Sequence, residues 1–308
     1  GISMQIALLG SENEPQVIHV ASALKSEGHE PIIVNTQYFG KHWQLTYDPD
    51  FHDGLLHFLD SYPLDNNRMT LSEVHAVYWH QYLPPAMPHE DPKQAQWIDQ
   101  EVTSALLCWF NFSDIKWVNG ISAIRAHQCK PSQMQVAAHL GAHLPYTFVG
   151  NSEIAAFQFC NNMGEVIYKP IRGGETTHFL HKGTQLRHQL SQLLLSRPVM
   201  LQAYVPGINI RSYVFGDEVL SVQIESHDTQ TAESQHHKPL IVITPADIQR
   251  LCVAICKGLD MHWCTINWRK TAKGDYFFLD ADPCPDFLTI ENQTGMDMTG
   301  RLIKVLTQ

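Results

Sequence analysis

Three groups of side chains in this sequence have the types and spacing for phosphate and metal chemistry. Lys169-Pro170 closes an apolar stretch, Glu165-Val-Ile-Tyr-Lys-Pro170, and Gly173-Gly174 follows. A lysine at the end of a buried strand loses hydration at high cost, so its ammonium must meet an anion or reach water. Glycines just beyond it let backbone N–H groups approach phosphate oxygens. The order differs from a P-loop, where the lysine follows the glycines; an edge lysine before an ordinary turn is the competing reading. Asp280 and Asp282 close a second apolar stretch that begins at Tyr276. Strand positions two apart share a face, so both carboxylates project the same way and repel unless a cation lies between them. Such oxygen ligands suit Mg2+ shared with phosphates. Asn267, on the preceding strand, would face them across a hairpin turning at Lys273-Gly274-Asp275. The alternative is a solvated strand end before Pro283-Cys284-Pro285. Lys130 opens a helix, where a cation gains nothing from the dipole. Arg211 shares a strand face with Asn209 and offers a bidentate fork to a phosphate. Either cation could equally be an ordinary surface charge.

These residues need elements to position them. Residues 4–9 predict a buried strand, 15–27 a helix stopped by Gly28, and 31–34 a second strand, together a parallel βαβ unit. Residues 74–79 read as a third strand, 94–110 as a long helix, and 114–119 close this first region. Helices follow at 130–140 and, capped by Ser152, at 153–160, with strands at 145–149 and 165–170. Strands at 198–205, 208–215 and 218–225 are joined by short turns at Pro206-Gly207 and Gly216-Asp217, which favours antiparallel neighbours. Residues 226–239 read as a polar loop in which His236-His237-Lys238 could touch ligand phosphates. A helix over 245–258 is expected with Thr244 as its cap and proline just inside. Strands at 264–268 and 276–280 and a helix at 295–306 complete the chain. Cys252 and Cys256 share a helical face with apolar neighbours, which favours core packing, and no histidine stands at zinc-site spacing from them.

Composition narrows the function. Lys and Arg number 21 against 31 Asp and Glu, a formal charge of −10, which argues against a nucleic-acid binder with a basic footprint. A few cations can still converge on a nucleotide while the remaining surface stays acidic. Seven scattered cysteines suit a reducing compartment, and neither a signal peptide nor a membrane-length apolar run is visible, so a cytoplasmic location is expected. Gly1-Ile2-Ser3 ahead of Met4 reads as a remnant of tag cleavage.

Taken in order, the motifs resemble the ATP-grasp superfamily, in its RimK-like branch, and are most similar to the graspetide (microviridin-type) peptide macrocyclase ligases. The resemblance rests on Ala76-Val-Tyr-Trp79 with Leu83-Pro-Pro85, Trp117-Val-Asn-Gly120, Lys130, Leu140-Gly-Ala-His-Leu-Pro-Tyr-Thr147, Lys169-Pro170, Gly173-Gly174, Gln202-Ala-Tyr-Val205 and Asn209-Ile-Arg211. It implies an α/β chain with α+β lobes: an N-terminal pre-ATP-grasp domain over 1–118, a central lobe or lid over 119–197, and a C-terminal lobe with the metal site over 198–308. It also implies that Lys130 and Lys169 are the two ATP lysines and that Gly173 and Gly174 belong to the phosphate-covering loop. Gln202, Ala203, Tyr204 and Val205 would meet adenine, and Arg211 would lie near the γ-phosphate and the acyl phosphate. At the positions where the superfamily commonly has Asp, Glu and Asn as metal ligands, this chain has Asn267, Asp280 and Asp282. Two carboxylates and one amide remain, so the ligand charge is the same. Ala203 replaces a common glutamate, Asn209 an aspartate, and His80-Gln81 the arginines frequent in the peptide ligases.

The implied activity is ATP-dependent ligation of a carboxylate to an amine or hydroxyl through an acyl phosphate. ATP and Mg2+ are the cofactors, Lys169 and Arg211 act in catalysis, and a ribosomal precursor peptide is the partner. A homo-oligomer is left open; nucleic acid and membrane are not expected as partners. The rivals are a RimK-like or glutathione-synthetase-like ligase for small substrates and a degenerate nucleotide-binding module. A dinucleotide oxidoreductase is disfavoured because Leu8-Leu-Gly-Ser11 lacks the full glycine fingerprint.

Overall fold

The computed structural model describes residues 1–59, 67–173, 177–224 and 238–308. These form two compact units: residues 1–121 with 284–291 and 296–308, and residues 122–283 with 292–295.

In the first unit, β1 (Gln5–Leu9), α1 (Pro15–Ser26) and β2 (Glu30–Val34) make the expected parallel βαβ unit. After β2 comes a hairpin-built antiparallel sheet of β3 (Trp43–Asp48), β4 (Asp53–Phe58) and β5 (Arg68–Thr70), in that order. The sequence reading contained no element here. β3 alternates apolar and polar residues, Trp43-Gln-Leu-Thr-Tyr-Asp48, the signal of a half-buried strand rather than the continuous apolar run by which β1 and β6 stand out. The chain then returns through β6 (Val74–Trp79), α2 (Pro92–Phe110) and β7 (Lys116–Val118), giving a parallel sheet of order β2-β1-β6-β7. Ile6, Ala7, Leu8 and Leu9 are wholly buried, as expected for a central strand of a parallel sheet covered on both faces.

The second unit holds two antiparallel sheets. After α3 (Ile121–His127) and α4 (Lys130–His139) come β8 (Thr147–Gly150), α5 (Glu153–Asn162), β9 (Val166–Lys169), β10 (His178–Phe179), α6 (Leu186–Leu194) and β11 (Val199–Ala203). Their strands lie in the order β10-β9-β11-β8. Ala156, Cys160, Leu186 and Leu190 of α5 and α6 pack with Val166 and Leu201 of this sheet. Ser152 caps α5, its hydroxyl accepting from the Ala155 N–H at 3.2 Å. The second sheet comprises β12 (Ile208–Phe215), β13 (Glu218–Ile224), β14 (Leu240–Val242), β15 (Trp263–Lys270) and β16 (Tyr276–Asp282), ordered β14-β13-β12-β15-β16. Between β14 and β15, α7 (Ala246–Gly258) buries Ile248, Cys252, Ile255 and Cys256 in one core with Trp268 and Phe278. Each such side chain contributes about 1.5–3 kcal/mol through burial. Two short helices, α8 (Leu288–Thr294) and α9 (Met298–Thr307), end the chain.

Two expectations are corrected. Thr244 does not cap α7: Pro245 is the N-cap residue, without a side-chain bond, and the Thr244 hydroxyl lies 2.6 Å from that of Ser221. The helix expected over 295–306 instead starts at Met298, capped by Asp297, which accepts from the Gly300 N–H at 2.8 Å. Gly295 adopts φ +73°, the left-handed conformation that closes the preceding helix. Among the described residues no helix is long and apolar enough to cross a membrane.

Candidate active site

One cavity of about 440 Å3 within the second unit gathers most of the residues singled out above. Lys130, Lys169, Gly173, Gln202, Asn209, Arg211, Asn267, Asp280 and Asp282 all line it. Ala203, Tyr204 and Val205 do not line it, although all three are half-buried. Gly174, His236 and His237 lie outside the described residues.

A β-bulge sets the acidic wall. On β15 and β16 Asn267 pairs with Asp280, whereas the next residue, Trp268, pairs with Phe278, leaving Leu279 as the extra residue. Without that insertion, Asp280 would follow Tyr276 and Phe278 onto the core face. With it, Ala281 takes the buried position, and Leu279, Asp280 and Asp282 line the cavity. Gln133 of α4 holds this segment: its amide donates to the Ala281 carbonyl at 2.8 Å and accepts from the Ala281 N–H at 3.2 Å. One turn earlier on the same helix stands Lys130.

A polar row then crosses three strands. Arg211 on β12 is opposite Asn267 on β15, which is opposite Asp280 on β16. The Arg211 Nε donates to Asn267 Oδ1 at 3.1 Å, and Asn267 Nδ2 donates to Asp280 Oδ1 at 2.8 Å. Asp280 Oδ2 lies 3.8 Å from Lys130 Nζ, which donates to the His127 carbonyl at 2.9 Å. Burial lowers the Lys130 pKa, and the charges of Asp280 and Asp282 oppose that shift. Burial, with the Lys130 charge, also lowers the His127 pKa, so at neutral pH this imidazole is uncharged.

The loop after β9 closes over the lysine. The Lys130 N–H donates to the Ile171 carbonyl at 3.1 Å. Gly173 has φ +87°, and a Cβ there would overlap Lys130 Cε, so a glycine is needed on both counts. Opposite, the Gln202 amide donates to the Thr147 hydroxyl at 3.2 Å, and the backbone of Ala203 and Tyr204 is anchored to Tyr146 and Glu165.

Two carboxylates and an amide oxygen, beside several cations, form a donor set suited to a hard divalent ion shared with phosphates. Asn267 Oδ1 accepts from Arg211 and retains a second lone pair.

Solved structures of the same architecture cover nearly the whole chain. The ATP-grasp ligase PsnB, complexed with minimal precursor, superposes with a TM-score of 0.84 at 20% identity, over 99% of this chain and 98% of that one. The macrocyclase MdnC of Microcystis aeruginosa MRC, bound with precursor peptide MdnA, gives 0.83 at 17% identity over 98% and 99%. A RiPP-associated ATP-grasp ligase of Chryseobacterium gregarium, in complex with ADP and a leader and core peptide, gives 0.82 at 17% identity over 98% and 96%. The chain has the ATP-grasp fold. No protein-family model and no curated protein matches its sequence.

In this ATP-grasp chain the cavity also holds cations that the sequence reading missed. Arg269 is paired with Asn209 in register, is almost fully buried, and has its guanidinium 5.5 Å from the centre of the Tyr204 ring. It follows Asn267 by two on one strand, and that spacing was the available signal. Arg172 and His127 line the cavity as well; as loop and helix-end residues they carry no periodic signal.

Proposed function

We propose that the chain is an ATP-dependent ligase that joins a carboxylate to an amine or hydroxyl through an acyl phosphate, on a ribosomal precursor peptide. The observation that carries this reading is the charge of the cavity. Among the described residues, Lys130, Lys169, Arg172, Arg211 and Arg269 line it against Asp280 and Asp282, in a chain of net charge −10. Five cations against two carboxylates fit a polyphosphate with an accompanying divalent ion. The likeness to PsnB, MdnC and the Chryseobacterium gregarium ligase supports the peptide as substrate class.

In this reading Lys130 and Lys169 hold the phosphates from the lid side (119–197) and Gly173-Gly174 covers them. Gln202, Ala203, Tyr204 and Val205 lie along adenine. Mg2+ held by Asp280, Asp282 and Asn267 would neutralise the β- and γ-phosphate charge. A peptide carboxylate oxygen attacks the γ-phosphorus, the bond to the β–γ bridging oxygen breaks, and ADP leaves. An amine or hydroxyl then attacks the acyl carbon; inorganic phosphate departs and the nucleophile's proton is released. Lys169 and Arg211 stabilise the oxyanions that develop in these steps, and Asn209 stands beside Arg211 on the same strand face.

The experiment combines the protein with ATP, Mg2+ and acidic peptides encoded near its gene, followed by mass spectrometry. Loss of one water per bond formed, with ADP release, is expected, and Asp280→Asn should abolish both. ADP release that depends on free amino acids and leaves every peptide unchanged would replace the peptide with a small acceptor. Absence of ADP release with all of them would refute the ligase.

A further inference from the structure

A second cluster of chemistry-bearing side chains lies in the first unit, outside the cavity just described. His80 Nε2 stands 3.8 Å from Glu14 Oε1 and 3.9 Å from Asp286 Oδ1, and the three ligand atoms lie within 4.8 Å of one another.

Topology puts this cluster where open α/β sheets bind ligands. In the order β2-β1-β6-β7, the chain leaves β1 toward one edge and β6 toward the other. The crevice beyond their carboxyl ends is therefore a topological switch point. His80 directly follows β6, and Glu14 is the residue before α1 on the β1–α1 connection. The Gly10 position, just after β1, leaves room for this arrangement: a Cβ there would press on Val17 at 3.0 Å and on the His80 Cβ at 3.4 Å.

The cluster has a built supporting layer. His80 Nδ1 is 3.1 Å from the Tyr78 hydroxyl, and that oxygen accepts from the Gln16 amide at 2.8 Å. The same buried amide donates to the Pro285 carbonyl at 3.0 Å and accepts from the Phe287 N–H at 2.8 Å. Gln16 thus fixes the residues on both sides of Asp286 to the first turn of α1 and to the end of β6. Burial raises the Tyr78 pKa, so the phenol remains protonated, and in the tautomer with Nδ1–H its oxygen accepts from the ring. That tautomer leaves the Nε2 lone pair facing the two carboxylates. Histidine metal ligands have this arrangement, with the other ring nitrogen donating to a fixed partner.

We propose that Glu14, His80 and Asp286 form a site for a first-row divalent ion of the zinc class, which clamps the 284–287 segment to the switch point of the N-terminal sheet. One imidazole and two carboxylates match the mixed nitrogen and oxygen preference of such ions. Bonds of about 2.1 Å at tetrahedral angles set ligand atoms about 3.4 Å apart, so the two imidazole–carboxylate separations must each shorten by about half an ångström. The carboxylates can supply it: the Glu14 and Asp286 side chains are 38% and 86% exposed, whereas His80 at 6% is fixed.

The test is equilibrium dialysis of the full chain against micromolar Zn2+ in millimolar Mg2+, with bound zinc read by elemental analysis. Excess Mg2+ is present to compete for the carboxylates of the other cavity. Wild type should retain one equivalent. Glu14→Gln and Asp286→Asn change exposed side chains, leave the fold intact, and should each weaken binding at least tenfold. Tyr78→Phe, a positioning change, should weaken it by about tenfold. No zinc retained by wild type would mean that the cluster is an ordinary imidazole–carboxylate contact, and the proposal fails. Equal retention by wild type, Glu14→Gln and Asp286→Asn would assign the ion to other histidines and overturn it as well.

Discussion

Gly173→Ala tests whether the loop after β9 belongs to the binding machinery. Gly173 has φ +87°, where an L side chain costs about 1–2 kcal/mol relative to glycine. The new methyl would also overlap Lys130 Cε. Lys130 is poorly placed to yield, because its ammonium is bonded to the His127 carbonyl at 2.9 Å and faces Asp280 at 3.8 Å. Displacing it would forfeit a charged hydrogen bond worth about 1.5–3 kcal/mol. The loop is therefore the part that moves, and the closed arrangement loses about 1–2 kcal/mol, equivalent to a roughly 5–30-fold weaker affinity for a ligand that needs it. Calorimetric titration of ADP at saturating Mg2+ reads that factor, and a thermal melt in parallel checks that the cores are intact. An affinity within twofold of wild type at unchanged Tm would refute the coupling between this loop and the phosphates.

Gln133→Leu keeps roughly the volume of a buried side chain but leaves the Ala281 N–H and C=O without their partners. It should cost about 2–4 kcal/mol in denaturant unfolding and weaken Mg2+-dependent nucleotide binding, because Ala281 lies between the two aspartates. Glu291→Ala removes the carboxylate that accepts from the Met298 and Thr299 N–H groups and the Thr299 hydroxyl, at 2.7, 2.6 and 2.6 Å. The first turn of α9 then loses these acceptors while Asp297 still caps Gly300, and a loss of about 1–2 kcal/mol is expected by chemical denaturation. Burial pushes the Cys252 thiol up to about 12, and Cys256 and Cys264 share its core, whereas Cys129 is exposed. Alkylation at pH 8 followed by mass spectrometry should label Cys129 in the native protein and the three buried thiols only after unfolding.

The site was legible where periodicity carries chemistry. Asn267 opposite Asp280, and Asn209 and Arg211 on one face, follow from strands that alternate. The position of Lys130 follows from a helix that begins at that residue. The bulge at Leu279 has no such signature. The inward turn of Ala281 depends on Gln133, which is 148 residues away in sequence, and only folding brings the two together. Arg269 was missed because the expected strand stops at Trp268, whereas β15 runs on to Lys270. The β3-β4-β5 sheet was missed because β3 carries its signal as alternation and not as a continuous apolar run. The histidine at 80 stood out only as a replacement for arginine, since its partners Glu14 and Asp286 come from distant parts of the chain.

In the proposed reaction Asp280 and Asp282 act with the cations around them on one nucleotide. Titrating ADP at a series of Mg2+ concentrations measures this directly, in wild type and in an Asp280→Asn, Asp282→Asn double variant. Mg2+ should strengthen ADP binding to wild type by at least tenfold and leave the variant's affinity unchanged. Nucleotide binding that responds equally to Mg2+ in both proteins, or that is absent from wild type, would contradict it.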